Sequence, residues 1–333
     1  MKAQGYEQGY QGYWSRIAVV CLLAVPAASS AYAQAGNYPE KPVTIISDAG
    51  AGASPDVATR IVADGLDKIW VQHAAVINHP GANGSIGARA ASEAVADGYT
   101  LYAPALSTFV ALPTVAPNLP IKLPRDFLPI GFIAEQPMFL AVDPASGITT
   151  LAQLIERAKK DPGAISIAIS GIGRMTHLTG VLLQQQAGIK FVSVPYTGGP
   201  GAALSDVAAG RVTMIIEGFP GIIGAVNAGQ VKLIAVASPQ RLPELPDLPT
   251  VAETIPGFTA AGWLILAAPV GTPAPIVAKA SADLAKVVDD PAIKKKLATI
   301  GSYVHPMTPG ETQAFVDKQQ ATWLPVLQKI STP

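Results

Sequence analysis

Side chains able to do covalent or metal chemistry are few and scattered. The four histidines, His73, His79, His177 and His305, show no metal-ligand spacing, and the one cysteine, Cys21, lies near the N-terminus. No Gly-x-Ser-x-Gly elbow marks a hydrolase nucleophile. Small-residue loops stand out instead. Gly50-Ala-Gly52-Ala-Ser-Pro55 approaches a dinucleotide-binding loop, but Pro55 holds the place of the third glycine. Gln72, His73, Asn78 and His79 occupy the region where the expected acid would fall. As a close-approach loop at a helix N-terminus it suits a carboxylate, because small residues let backbone N–H groups meet the anion. The plainer alternative is that its glycines only make tight turns. His177 is placed differently from the other histidines, since it follows a second Gly-rich loop at an expected helix start.

These loops are punctuated by regular elements. Val43–Ser47 is a β-branched run, and Asp56–Trp70 carries Val57, Ile61, Val62, Leu66, Ile69 and Trp70 at helical spacing behind Pro55. Ala74–Ile77 is strand-like; the Gly-rich turn Pro80–Gly87, an Ala-rich helix and a strand at Thr100–Ala103 follow. Strand, Gly-rich loop and helix in repetition predict an open parallel sheet with helices on both faces. A second series begins near Met138–Val142, and Thr150-Leu-Ala-Gln153 reads as a capping box opening a helix through about Lys160. Strands are expected at Ile165–Ile169, Phe191–Val194, Val212–Ile216 and Val231–Ala237. They alternate with helices near Thr176–Ala187, Ala202–Ala209 and Gly221–Asn227. Pro239–Pro256 reads as a linker, Trp263–Ala267 as a strand, and Pro275–Val288, Ala292–Ile300 and Pro309–Ile330 as helices. Two α/β units imply two lobes around a cleft, with ligand at the carboxyl ends of the strands.

The N-terminus fits a secretory signal peptide: Lys2 and Arg16 precede the apolar run Ile17–Ala28, which ends at Ala31-Tyr32-Ala33. Such a run rises only about 18 Å as a helix, short of the ~30 Å hydrocarbon core, which disfavours a membrane anchor. Lipidation at Cys21 is the other alternative, but Val19-Val20 precede it and the cleavage site near Ala33 is better formed. Cleavage leaves about 300 residues in the periplasm, without cysteine and therefore without a disulfide. Removing Lys2, Arg16 and Glu7 takes the net charge from +0 to near −1. Charged residues are 14% of the chain, against roughly 25% in average proteins. Without a basic stripe, nucleic acid is not an expected partner.

An ordered series of motifs carries a resemblance over essentially the whole mature chain. It comprises Tyr38-Pro-x-Lys-Pro-Val43, Ala51-Gly52-Ala-Ser-x-Asp56, Asn78-x-Pro-Gly-Ala-x-Gly-x-Ile-Gly87 and Asp97-Gly-Tyr-Thr-Leu101. Ser170-Gly-x-Gly-x-x-x-His-Leu178, Val194-Pro-Tyr-x-Gly198, Leu245-Pro-Asp-Leu-Pro-Thr-Val-Ala-Glu253, Trp263 and Ala268-Pro-x-Gly-Thr-Pro273 continue it. The chain resembles the Bug family, the substrate-binding receptors of tripartite tricarboxylate transporters. The resemblance implies an α/β type II periplasmic-binding-protein fold, with lobe one at 38–139 plus 258–333, lobe two at 140–257, and two crossovers. It implies a non-catalytic, monomeric receptor without cofactor or metal, serving integral-membrane transporter subunits and holding a small carboxylated solute. The implied contacts are Asp48, Ala51, Gly52, Ala53 and Ser54 in the first loop and Ser107 and Thr108 in the second. Ser170, Gly171, Gly173, Arg174 and His177 follow in the third, then Tyr196 and Gly198, and Glu217 and Phe219. Thr108 and Ser170 are expected to donate hydrogen bonds to the solute.

Two charges depart from the family pattern. Members commonly show Pro-Phe-x-Ala-Gly-Gly where this chain has Asp48-Ala-Gly-Ala-Gly-Ala53, and a small polar residue where it has Arg174. Asp48 would repel an anionic ligand at close range, whereas a guanidinium can grip a carboxylate bidentately. The two could hold different groups of the solute, pair as a latch on closure, or both face solvent. The competing functional readings are an exported α/β enzyme using a Gly-rich loop for a cofactor, and a sensory receptor that presents its ligand state to a signalling protein.

Overall fold

The computed structural model describes residues 37–119, 121 and 124–330. The expected signal segment, residues 1–33, lies outside them. The β-branched and apolar runs form β1 (Val43–Ser47), β2 (Ala74–Asn78) and β3 (Thr100–Ala103), with β1 parallel to both neighbours. Between β1 and β2 runs α1 (Ser54–Trp70), with Pro55 in its first turn and Ala58, Val62, Leu66 and Trp70 buried. After β2 come a tight turn at Ala82–Gly84 and α2 (Ser85–Ser92), and after β3 the short helices α3 (Leu106–Val110) and α4 (Leu112–Val115).

The parallel arrangement predicted from the strand–loop–helix repeats stops at β3. The chain then enters β4 (Phe127–Val142), a long and almost wholly buried strand. Its first part runs antiparallel to β9 (Ala261–Pro269), from Phe127 opposite Pro269 to Pro137 opposite Ala261. From Met138 onward it pairs antiparallel with β7 (Met214–Gly218) and β8 (Lys232–Val236) instead. Only the second part, Met138–Val142, is legible as a strand, because Pro129, Gly131 and Pro137 interrupt the earlier pattern. Those prolines are tolerated at register irregularities and at the change of partner, where ladder hydrogen bonds are not required of them. One strand thus serves both halves of a nine-stranded sheet ordered β2-β1-β3-β9-β4-β7-β5-β6, with β8 also on β4.

In the second half, β5 (Ser166–Ile169) is parallel to β6 (Val192–Pro195) and β7. The helices here are α5 (Leu151–Lys160), α6 (Met175–Ala187), α7 (Pro200–Ala208) and α8 (Phe219–Asn227). Thr150 caps α5 by accepting from the Gln153 N–H, but the Gln153 side chain takes the N–H and hydroxyl of Thr149, so the box is only half formed. A full capping box appears where a linker was expected, between Thr150's later counterpart Thr250 and Glu253. The C-terminal elements return to the first half. Both α9 (Ala274–Asp289) and α10 (Pro291–Thr299) pack on α1, and α11 (Pro309–Ile330) crosses β4, α3 and α6. Apolar residues from both halves, including Tyr102, Phe109, Leu140, Ile167 and Trp323, share one core. The two lobes are thereby joined beneath the cleft.

Candidate functional site

The cleft encloses about 890 Å³ of empty space, its open mouth included. Its wall comes from the carboxyl ends of β1, β3, β5, β6 and β7, where the chain turns into helices. Of the residues singled out in the sequence, Asp48, Ala53, Ser54 and Ser107 line it from one half. Ser170, Arg174, Tyr196 and Glu217 line it from the other. Ala51, Gly52, Thr108, Gly171, Gly173, His177, Gly198 and Phe219 are not among the residues that line it. Phe219 stacks on Phe139 with ring centroids 5.0 Å apart.

Asp48 and Arg174 meet. Arg174 Nη2 donates to Asp48 Oδ1 at 3.1 Å, and both side chains are buried, at 9% and 0% exposure. The other carboxylate oxygen, Oδ2, accepts from the Tyr102 hydroxyl at 2.6 Å and from the Thr108 hydroxyl. Thr108 Oγ1 in turn accepts from Arg174 Nη1 at 3.1 Å. Thr108 therefore spends its hydroxyl hydrogen on Asp48, and Ser170 Oγ lies 2.9 Å from Thr176 Oγ1. Burial, then the neighbouring Asp48, pushes the Tyr102 phenol well above its ordinary range, so it stays a donor. Gly84 is required here. Its φ is +98°, and a Cβ would fall 2.5 Å from Thr108 Oγ1 and 2.7 Å from Arg174 Nη1.

A second acid closes the opposite wall. Glu217 Oε1 accepts from the Ser54 hydroxyl at 3.0 Å and from the Gly218 N–H at 2.9 Å. Ser54 Oγ also accepts from the Gly221 N–H, so one hydroxyl links α1 to the start of α8. Burial raises the Glu217 pKa, and these hydrogen bonds only partly oppose it. His177 is shifted the other way: burial lowers its pKa, and its Nδ1 takes the Gly173 N–H at 3.1 Å. A neutral imidazole with its lone pair on Nδ1 fits that contact.

Six helices begin at the cleft without a side chain capping them: α1, α2, α3, α6, α7 and α8. Their first-turn N–H groups and dipoles favour an anion. Most are already served by internal acids: Asp56 sits in the first turn of α1, Glu217 accepts the N–H of Gly218, the N-cap residue of α8, and Asp48 lies against the starts of α2 and α3. The starts of α6 and α7 carry no acidic residue. Hydrogen-bonding capacity is also left over in the wall, where Ser107 Oγ and Trp263 Nε1 are buried without a partner. Trp263 and the Asn83-Gly84 turn line the cleft but escaped assignment, although both lie in motifs visible in the sequence. Among the described residues no group of His, Cys, Asp or Glu is arranged to hold a metal ion.

The loops approach closely around this space. A Cβ on Gly50 would fall 2.5 Å from the Gly199 nitrogen, and one on Gly199 2.5 Å from the Ala51 carbonyl oxygen. The first loop and the loop before α7 therefore touch backbone to backbone.

A family model described as the tripartite tricarboxylate transporter family receptor matches residues 58–332. BugT of Bordetella pertussis is 29% identical over 315 residues, covering 94% of this chain and 96% of that protein. The solved structure of R. palustris Rpa4515 with adipate aligns at a TM-score of 0.85 and 29% identity, over 88% of this chain and 98% of the other. MatC from Rhodopseudomonas palustris, with bound malate, aligns at 0.80 and 27% identity, over 87% of this chain and all of the other.

Proposed function

Since this chain belongs to the tripartite tricarboxylate transporter receptor family, whose members are receptors and not enzymes, we propose that it captures a small carboxylated solute in the periplasm for membrane-embedded transporter subunits. One observation carries the ligand class. The acid-free N-termini of α6 and α7 both border the cleft, where helix dipoles and first-turn N–H groups favour an anion. The adipate and malate held by the two relatives from R. palustris support the same class. An apolar wall that includes Met138, Ile169, Ile216 and Trp263 suits the carbon skeleton.

The experiment is a thermal-shift screen of the mature chain across carboxylic acids, followed by recovery of the tightest ligand by mass spectrometry. A ligand at 100 times its Kd should add about 2.7 kcal/mol of stability. The ligand should return unaltered; turnover to a product, or no stabilisation by any carboxylic acid, would overturn the reading. Delivery to a transporter is tested separately, by solute uptake in cells with and without this chain. Unchanged uptake of the bound solute would remove the transport role.

A further inference from the structure

We propose that the cleft selects a solute with one carboxylate on an apolar body and discriminates against dicarboxylates. This rests on the reading that the cleft binds carboxylated solutes. Its wall contains three charged side chains: Asp48, Arg174 and Glu217. Arg174 is the one cation among them, and its charge is already met by Asp48. Freeing it for a ligand would strand a buried carboxylate that is held from three sides, by Arg174, Tyr102 and Thr108. Glu217 adds an acid with no cation within ion-pair distance among the described residues.

The positive ends of the six helices divide in the same way. Those of α1 and α8 face Asp56 and Glu217, and Asp48 lies against the starts of α2 and α3, leaving α6 and α7 to hold a single anion. Once that place is filled, a second carboxylate meets Glu217, the neutralised Asp48–Arg174 pair, or apolar wall. The unpartnered groups left there, Ser107 Oγ and Trp263 Nε1, are uncharged and suit a neutral acceptor better than a desolvated anion.

Isothermal titration with chain-matched acids tests the inference: hexanoate against adipate, and heptanoate against its seven-carbon diacid. The mature wild-type chain should bind each monoacid at least tenfold more tightly than its partner. Asp48→Asn, which frees Arg174 from its counter-ion while keeping an acceptor for Tyr102 and Thr108, should narrow that ratio by several-fold. Diacids binding as tightly as monoacids, or more tightly, would overturn single-carboxylate selectivity while leaving the carboxylate-receptor reading intact. Binding of neither class would overturn both. The wild-type comparison is decisive even where Asp48→Asn folds poorly.

Discussion

Arg174 reaches across the cleft to Asp48, tying the loop that precedes α6 to the loop that follows β1 through a 3.1 Å contact. Neither partner is accessible enough for water to screen the pair appreciably, so it behaves unlike the exposed ion pairs elsewhere on the chain. It couples the position of one lobe to that of the other. It also fixes the charge that a ligand meets.

Removing one partner of such a buried pair costs about 3–5 kcal/mol, because the other charge is left uncompensated. Arg174→Met should therefore destabilise the mature chain by that order in urea denaturation. The double variant Asp48→Asn/Arg174→Met should lose clearly less than the sum of the singles. Additive losses within about 0.5 kcal/mol would show that the contact is not coupled.

Glu217 gives a pH dependence of definite sign. Burial raises its pKa in the folded chain above the ordinary 4.5, so the folded chain binds the proton more tightly than the unfolded chain does. Stability is then lost as pH rises from about 4.5 through the folded value. Glu217→Gln keeps an acceptor for Ser54 and Gly218 without the charge. Its melting temperature relative to wild type should be higher at pH 7 than at pH 4. An equal difference at both values would contradict this assignment.

The touching backbones at Gly50 and Gly199 leave no room for a side chain. Gly50→Ala should weaken binding of the tightest carboxylic acid at least tenfold by holding the loops apart. Gly198→Ala, where a new Cβ meets nothing within 4 Å, should leave binding close to wild type. Titration calorimetry on both variants checks the pair. Equal affinities in the two would mean that the close approach does not matter for binding.

Much of this was legible in the sequence because it depends on local signals. Apolar spacing and Pro55 place α1 within two residues of its start, and the small-residue loops after β1, β5 and β6 do fall at the cleft. The course of β4 was not legible beyond Met138–Val142, since its two halves answer to different partners and prolines mask the first. The site divides along the same line. Asp48 and Arg174 stand out as unexpected charges, but a separation of 126 positions hides their pairing from local patterns. Thr108 reads as a ligand donor until Asp48 is seen to take its hydrogen. Trp263 lies within a strand motif, and only the assembled wall reveals its unpartnered indole nitrogen.

A crystal structure of the mature chain with its tightest carboxylic acid tests the central claim most directly. A ligand carboxylate oxygen should lie about 3.0 Å from a first-turn N–H of α6 or α7, with the carbon skeleton against Ile169, Ile216 and Trp263. A ligand ordered outside the cleft, or one whose carboxylate turns away from both helix starts, would contradict it.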